Sequence, residues 1–303
     1  MGGRECMKLA QALTNTPEVL SIEVTTRCNL NCIYCNKKNR PPESLDISED
    51  LLKKIKKEES KFSKFIICGI GESFLYPRIY EIVKEFHNQK FCIVTNGTIL
   101  IDYERLNQNN NIERIIFSID AVDRDRINQI SPNYNFEHLI ENLREHARYT
   151  LHSKKRIHLV LNCTLNEHNK AEMLDLIDFA SEFKFNTIHF SLPRGKEAYI
   201  EENQEELKLI LSMAEKRAAK AGIYFVNPFE TCCIYLKWIT PYISIDGDIF
   251  ACAETLYINE KLGSLNNITF DNVWKTSAYQ EFISGIKCKQ CKFLSNCDMQ
   301  FTN

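Results

Sequence analysis

Thr25-Thr26-Arg27-Cys28-Asn29-Leu30-Asn31-Cys32-Ile33-Tyr34-Cys35 follows the apolar run Val19-Leu20-Ser21-Ile22, and its reading decides what the rest of the chain must be. Three thiolates spaced Cys-x3-Cys-x2-Cys on one short loop can each hold one iron of a cubane cluster, leaving the fourth iron without a protein ligand. An iron-sulfur cluster closed by four cysteines mainly moves electrons. An open iron can chelate a small molecule and pass an electron directly into it. The alternative is a zinc knuckle, but structural zinc prefers paired Cys-x2-Cys or Cys/His sets, and no His lies in this loop.

Outward from the loop, the composition fits a cytoplasmic enzyme. With 303 residues, 44% of them hydrophobic, the chain can bury a full core, and a barrel of this length is one domain. A net charge of -2 gives no global field for nucleic acid or an anionic membrane. No signal-peptide pattern opens the sequence, and no apolar run is long enough to span a bilayer. The 13 cysteines are therefore read as cluster ligands plus buried apolar residues in a reducing compartment, with Cys6, Cys68, Cys92 and Cys163 as packing residues.

Short runs rich in Ile, Val and Phe alternate with stretches of helical period, the pattern of a parallel sheet wound with helices. Strands are predicted at 19–25, 64–68, 91–95, 114–118, 157–163 and 187–191, and helices at 48–57, 77–87, 136–151, 170–183 and 202–221. Ser48 suits a helix start and Gly222 a helix stop. The fold class is thus α/β, a partial (β/α)6 TIM-like barrel over 19–225, preceded by an extension over 1–18 and followed by a C-terminal domain over 226–303. The cysteine loop falls at the carboxyl end of the first strand, where parallel barrels gather their ligands.

The cysteine loop, with aromatic Tyr34 before its third thiol, resembles the radical S-adenosylmethionine (SAM) superfamily. That resemblance implies a 4Fe-4S cluster on Cys28, Cys32 and Cys35 that binds SAM, cleaves it reductively and yields a 5'-deoxyadenosyl radical. Cys68-Gly69-Ile70-Gly71-Glu72-Ser73, after the second strand, is similar to the family's Gly-Gly-Glu-Pro segment. It implies that Gly69 and Gly71 let backbone approach the methionine part of SAM and that Glu72 accepts from its ammonium; Ser73 stands where proline is usual. Thr95 and Asn96 close the third strand, Ser118 and Asp120 the fourth, and both pairs resemble SAM-contacting strand ends. Asn162, with Thr164, brackets the end of the fifth strand, and Arg194 after the sixth is a candidate for a carboxylate of SAM or substrate. Each of these also has a plainer reading as a satisfied turn residue or an exposed loop charge.

The last quarter carries a second signal. Tyr242-Ile243-Ser244-Ile245-Asp246-Gly247-Asp248-Ile249-Phe250 alternates around Asp-Gly, which favours a tight turn and a two-stranded hairpin. A helical stretch over 270–283 follows, then Cys288-Lys289-Gln290-Cys291. Cys233, a glycine five residues before Cys252, and the later Cys-x2-Cys resemble the SPASM and twitch extensions of radical SAM enzymes. The resemblance implies a hairpin-plus-helix domain with a second, auxiliary 4Fe-4S cluster on Cys233, Cys252, Cys288 and Cys291. Cys232 is an alternative ligand, and Cys297 a spare ligand or, like Cys232, a catalytic thiol that returns a hydrogen atom. Six cysteines cannot complete two four-thiolate clusters, so one auxiliary cluster is expected. A zinc ribbon is the competing reading of the same pairs.

The expected function is hydrogen abstraction from a substrate carbon, ending in oxidative or epimerising modification of a ribosomal peptide. Dehydrogenation of an aminocyclitol or sugar is the small-molecule alternative, kept open because nothing before residue 19 is long enough for a leader-peptide-binding domain. A non-catalytic iron-sulfur or zinc-binding protein is the alternative of another class. The expected partners are the peptide or small-molecule substrate and an electron donor such as flavodoxin or ferredoxin, with no nucleic acid and no membrane.

Overall fold

Among the described residues ten strands run in chain order: β1 (Val19–Ile22), β2 (Lys64–Ile67), β3 (Lys90–Thr95), β4 (Ile112–Ser118), β5 (His158–Thr164), β6 (Thr187–Ser191), β7 (Tyr224–Val226), β8 (Tyr242–Ile243), β9 (Asp248–Phe250) and β10 (Lys261–Ser264). The structure, a computed structural model, describes residues 17–35, 45–153, 155–193, 196–229, 240–252 and 261–283. Cys6, Arg194, Cys232, Cys233, Cys288, Cys291 and Cys297 lie outside the described residues. Two compact units make up the chain: Met1–Arg27 with Pro42–Cys92 and Thr231–Asn303, and Cys28–Pro41 with Ile93–Glu230.

In the first unit β1 pairs in parallel with β2 on one side and β8 on the other, and β8-β9-β10 continue as an antiparallel set. Leu20, Ile22, Phe65 and Ile67 are almost wholly buried, as strands covered on both faces require. The helix Glu49–Lys57 forms where expected. Ser48 Oγ accepts from Leu51 N–H at 3.2 Å, and Leu51, Leu52 and Ile55 form its buried stripe. The Asp-Gly turn is also present: Gly247 has φ +84°, which a residue with a side chain rarely adopts, and it lets Tyr242 pair with Phe250. The predicted helix over 270–283 is instead two, Phe270–Val273 and Ser277–Ile283. The break lies at Thr276, whose hydroxyl donates to Val273 O at 2.7 Å and accepts from Tyr279 N–H, so it caps the second helix rather than continuing the first. Phe270 meets Phe62 edge-on at 5.0 Å and stacks on Trp274 at 5.3 Å. Burying Phe270 contributes about 1.5–3 kcal/mol and fixes this C-terminal segment to the β1–β2 core.

In the second unit β4, β5, β6 and β7 are parallel in that order. β7 follows the helix Glu197–Ala221 and extends the series beyond the six predicted strands. Phe117, Leu161, Ile188 and Phe190 are fully buried. Phe136 and Phe185 pack within 6.5 Å of Phe179. β1 is shorter than predicted and stops at Ile22, and the helix predicted from 77 begins at Ile79. Among the described residues no helix is long and apolar enough to cross a membrane.

Candidate functional site

The cysteine loop belongs to the second unit and is held there by contacts remote in sequence. Asn29 donates to Thr98 Oγ1 at 2.7 Å and accepts from Asn96 Nδ2 at 3.0 Å, while Asn96 Oδ1 accepts from the Thr98 N–H and hydroxyl. Ile33 N–H donates to Ile130 O at 2.9 Å, and Ser131 Oγ donates to Cys32 Sγ at 3.0 Å. Cys35 N–H donates to Cys32 O at 3.1 Å, closing a turn between the second and third thiols. Tyr34 donates its hydroxyl to Asp120 Oδ2. Every part of the loop is therefore fixed while all three thiols stay partly exposed.

The donor set fits an iron-sulfur cluster. Burial, then the neighbouring Asp120, Cys35 and Cys28, push the Cys32 thiol up to about 11, against the opposing Ser131 hydrogen bond. Thiols close enough to raise one another in this way become thiolates together only when cationic iron compensates their charge. Among the described residues no three His, Cys, Asp or Glu side chains converge on one ion, as is natural where each thiolate serves a different iron.

Asp120 lies just past β4 and is almost fully buried. Its Oδ1 accepts from Thr164 N–H at 2.7 Å, so both carboxyl oxygens face protein donors from the cysteine loop and from β5. Burial pushes its carboxyl up to about 7, with the Thr164 N–H opposing. Asn169 Nδ2 ties the same corner together, donating to Asp120 O at 2.8 Å and Thr164 O at 2.9 Å. Thr95 is buried and its hydroxyl accepts from Gly97 N–H at 3.0 Å, a turn contact. Ser118 and Asn162 end up level with each other on adjacent strands.

The glycine loop lies in the first unit. Glu72 is buried, its N–H donates to Arg27 O at 2.7 Å, and its Oε1 accepts from Phe74 N–H at 3.0 Å, capping the short Ser73–Leu75 turn that stands where proline was expected to act. Gly71 is required by close approach, because a Cβ there would sit 2.2 Å from Thr25 O and 2.8 Å from Arg27 O. Backbone oxygens cannot swing aside as a flexible side chain can. Gly71→Ala is therefore expected to destabilise the protein by ~1–3 kcal/mol, the usual cost of overpacking, read as a lower midpoint in thermal unfolding. An unchanged midpoint would show that the loop does not lie against Thr25 and Arg27.

Glu23 is a site residue the pattern did not single out. It is fully buried after β1, and it accepts from Ile70 N–H in the glycine loop at 3.2 Å and from Ile245 N–H in the C-terminal hairpin at 3.1 Å. The two N–H donors replace the water that burial removes from its carboxyl group. Its one visible signal was an acid inside the apolar run Ile22-Glu23-Val24. Cys252 follows β9 and is buried at 6% exposure, carried by the strand set that β8 registers against β1.

The sequence profile of the radical SAM superfamily matches residues 22–180, just over half of the chain, and that of an iron-sulfur cluster-binding domain, SPASM, matches residues 232–298. The chain is 26% identical over 241 residues to GTP 3',8-cyclase of Clostridium perfringens (strain 13 / Type A), covering 76% of this chain and 70% of that protein. It is 30% identical over 152 residues to a probable GTP 3',8-cyclase of Methanococcus maripaludis (strain C7), covering 48% of this chain and 51% of the relative, about half its length. Among solved structures, SuiB of Streptococcus suis bound to its precursor peptide SuiA superposes with a TM-score of 0.68 at 16% identity, over 97% of this chain and 74% of that one. Native anSMEcpe with bound AdoMet and Cp18Cys peptide gives 0.67 at 17% identity, over 92% of this chain and 88% of that one. At these identities the structural likeness is one of fold.

Proposed function

Because the chain belongs to the radical SAM superfamily and carries a SPASM domain, we propose that it is a peptide-modifying enzyme that takes hydrogen from a carbon of a ribosomal peptide and leaves it oxidised or epimerised. The family's 4Fe-4S cluster and SAM, with the auxiliary iron-sulfur cluster of the C-terminal domain, are its cofactors. When bound, the first cluster and SAM supply the 5'-deoxyadenosyl radical that abstracts hydrogen. Cys28, Cys32 and Cys35 would hold three irons of that cluster, and Asn29, Ser131 and the Tyr34–Asp120 contact keep the loop in place. Tyr34 and Ser118 are assigned to the SAM side of the second unit, and Asn162 to its border with the substrate. Gly69 and Glu72 of the first unit retain their assignment to the methionine portion. Cys233, Cys252, Cys288 and Cys291 are assigned to one auxiliary cluster. Electrons come from a flavodoxin- or ferredoxin-like donor.

One observation carries the peptide reading: the SPASM match stands on a fold that superposes over more than nine tenths of the chain on two structures holding peptides. The test is anaerobic reconstitution of the full chain with SAM, dithionite and a panel of candidate short peptides. Loss of two hydrogen atoms from one peptide, with matching 5'-deoxyadenosine, is the expected result; one deuterium gained from D2O at unchanged composition marks epimerisation. Stimulation of 5'-deoxyadenosine by an aminocyclitol or sugar, and by no peptide, would replace this reading with the small-molecule one.

A further inference from the structure

Polar side chains on central parallel strands call for a reason, since such strands are normally apolar on both faces. In the second unit Phe117, Leu161, Cys163, Ile188 and Phe190 fill one face of β4, β5 and β6 and are fully buried. On the other face the register sets Ser118 beside Asn162 and Asn162 beside His189. All three are only partly buried, so open space lies against them. None of the three side chains hydrogen-bonds to any described residue. The next row along the same face differs: Thr164 and Ser191 hydroxyls bond at 3.3 Å, and Thr164 N–H reaches Asp120, which holds Tyr34 of the cysteine loop. The partnerless row therefore lies about 7 Å, two residues of strand rise, from the row on which the cysteine loop is anchored. Across the row His189 is two strands from β4, about 10 Å.

We infer that His189 is a substrate-contacting residue: together with Asn162 it receives a peptide amide group next to the carbon from which hydrogen is taken. This rests on the proposed peptide-modifying function. Burial holds the His189 imidazole below the usual histidine range, so it is neutral, with one N–H donor and one bare nitrogen acceptor. Asn162 adds an amide with both capacities. A peptide unit offers the complement, one N–H and one carbonyl. Ser118, nearest the cysteine loop, stays with SAM, and His189, farthest along the row, lies on the substrate side.

The position can be tested before the peptide is known. In a His189→Cys variant of the full, reconstituted chain, turnover of SAM with dithionite in D2O places an S–D bond where the substrate's C–H bond would be. The adenosyl radical breaks that bond and forms a C–D bond, leaving a thiyl radical that dithionite reduces. A several-fold rise in monodeuterated 5'-deoxyadenosine over wild type is expected. Leu209→Cys, exposed on the Glu197–Ala221 helix, should match wild type. Normal amounts of 5'-deoxyadenosine without added deuterium in His189→Cys would overturn the inference while leaving the peptide reading intact, since that is judged on the peptide product. If the variant does not fold, wild-type protein decides: carbethoxylation of His189 by diethyl pyrocarbonate supports an open row, and an unreacted His189 among reacted surface histidines overturns it.

Discussion

Replacing Cys32 by Ala is expected to abolish SAM cleavage, and the same holds for Cys28 and Cys35. A cubane iron that loses its thiolate is readily lost, and with only three protein ligands this cluster has none to spare. The loop is fixed beside each thiol by Asn29, Ile33 and Tyr34, so it cannot shift to recruit another ligand. Loss of water around the half-buried Cys68 pushes its thiol up to about 12, and burial raises that of Cys163, so neither readily becomes the thiolate a metal needs. Fully reconstituted protein should hold about eight irons, and the triple Ala variant about four, from the cubane stoichiometry. Iron analysis and a 5'-deoxyadenosine assay on the same preparations check this. Full 5'-deoxyadenosine production by Cys32→Ala would remove the open-cluster assignment, and one zinc without iron in the triple variant would restore the zinc reading of the C-terminal cysteines.

How far the fold was legible follows from length. β2, β5 and β6, with the helix Glu49–Lys57, show their period over enough residues to be read within a residue or two. β7 and β10, three and four residues long, and the helices Tyr103–Leu106 and Arg124–Ile130 are too short for a period to emerge. The Gly247 turn was legible because Asp-Gly has a local conformational cause. At the site, the thiols declared themselves by spacing, but what fixes them did not. Ser131 is 99 residues from Cys32 and Asp120 is 86 from Tyr34. Pairings across such distances leave no trace in local pattern. Hence Asn96 and Asp120 were legible only as strand-end polar groups, and that their side chains bond Asn29 and Tyr34 of the loop was not.

Removing the proposed auxiliary ligands Cys252 and Cys288 together is expected to leave SAM cleavage in place and eliminate the modified product. Cys28, Cys32 and Cys35 and their anchors are untouched by these changes, so radical initiation keeps all its protein ligands. The hairpin that carries Cys252 keeps the β1–β8 register and the Glu23 contact with Ile245 N–H. Trimming one sulfur atom at Cys252 costs far less than losing the Phe270 contact with Phe62, so the fold tolerates the change. On the proposed reading the auxiliary cluster would take up the electron left on the substrate after hydrogen abstraction, so the later step is the one expected to be lost. Truncation before the hairpin would be a worse experiment, since it strips β8 from β1 and exposes Phe62. The decisive comparison measures 5'-deoxyadenosine and modified peptide on the same folded double variant. Product at the wild-type rate would show that the C-terminal cysteines support structure alone, and loss of both outputs with the fold intact by circular dichroism would show that they act before hydrogen abstraction.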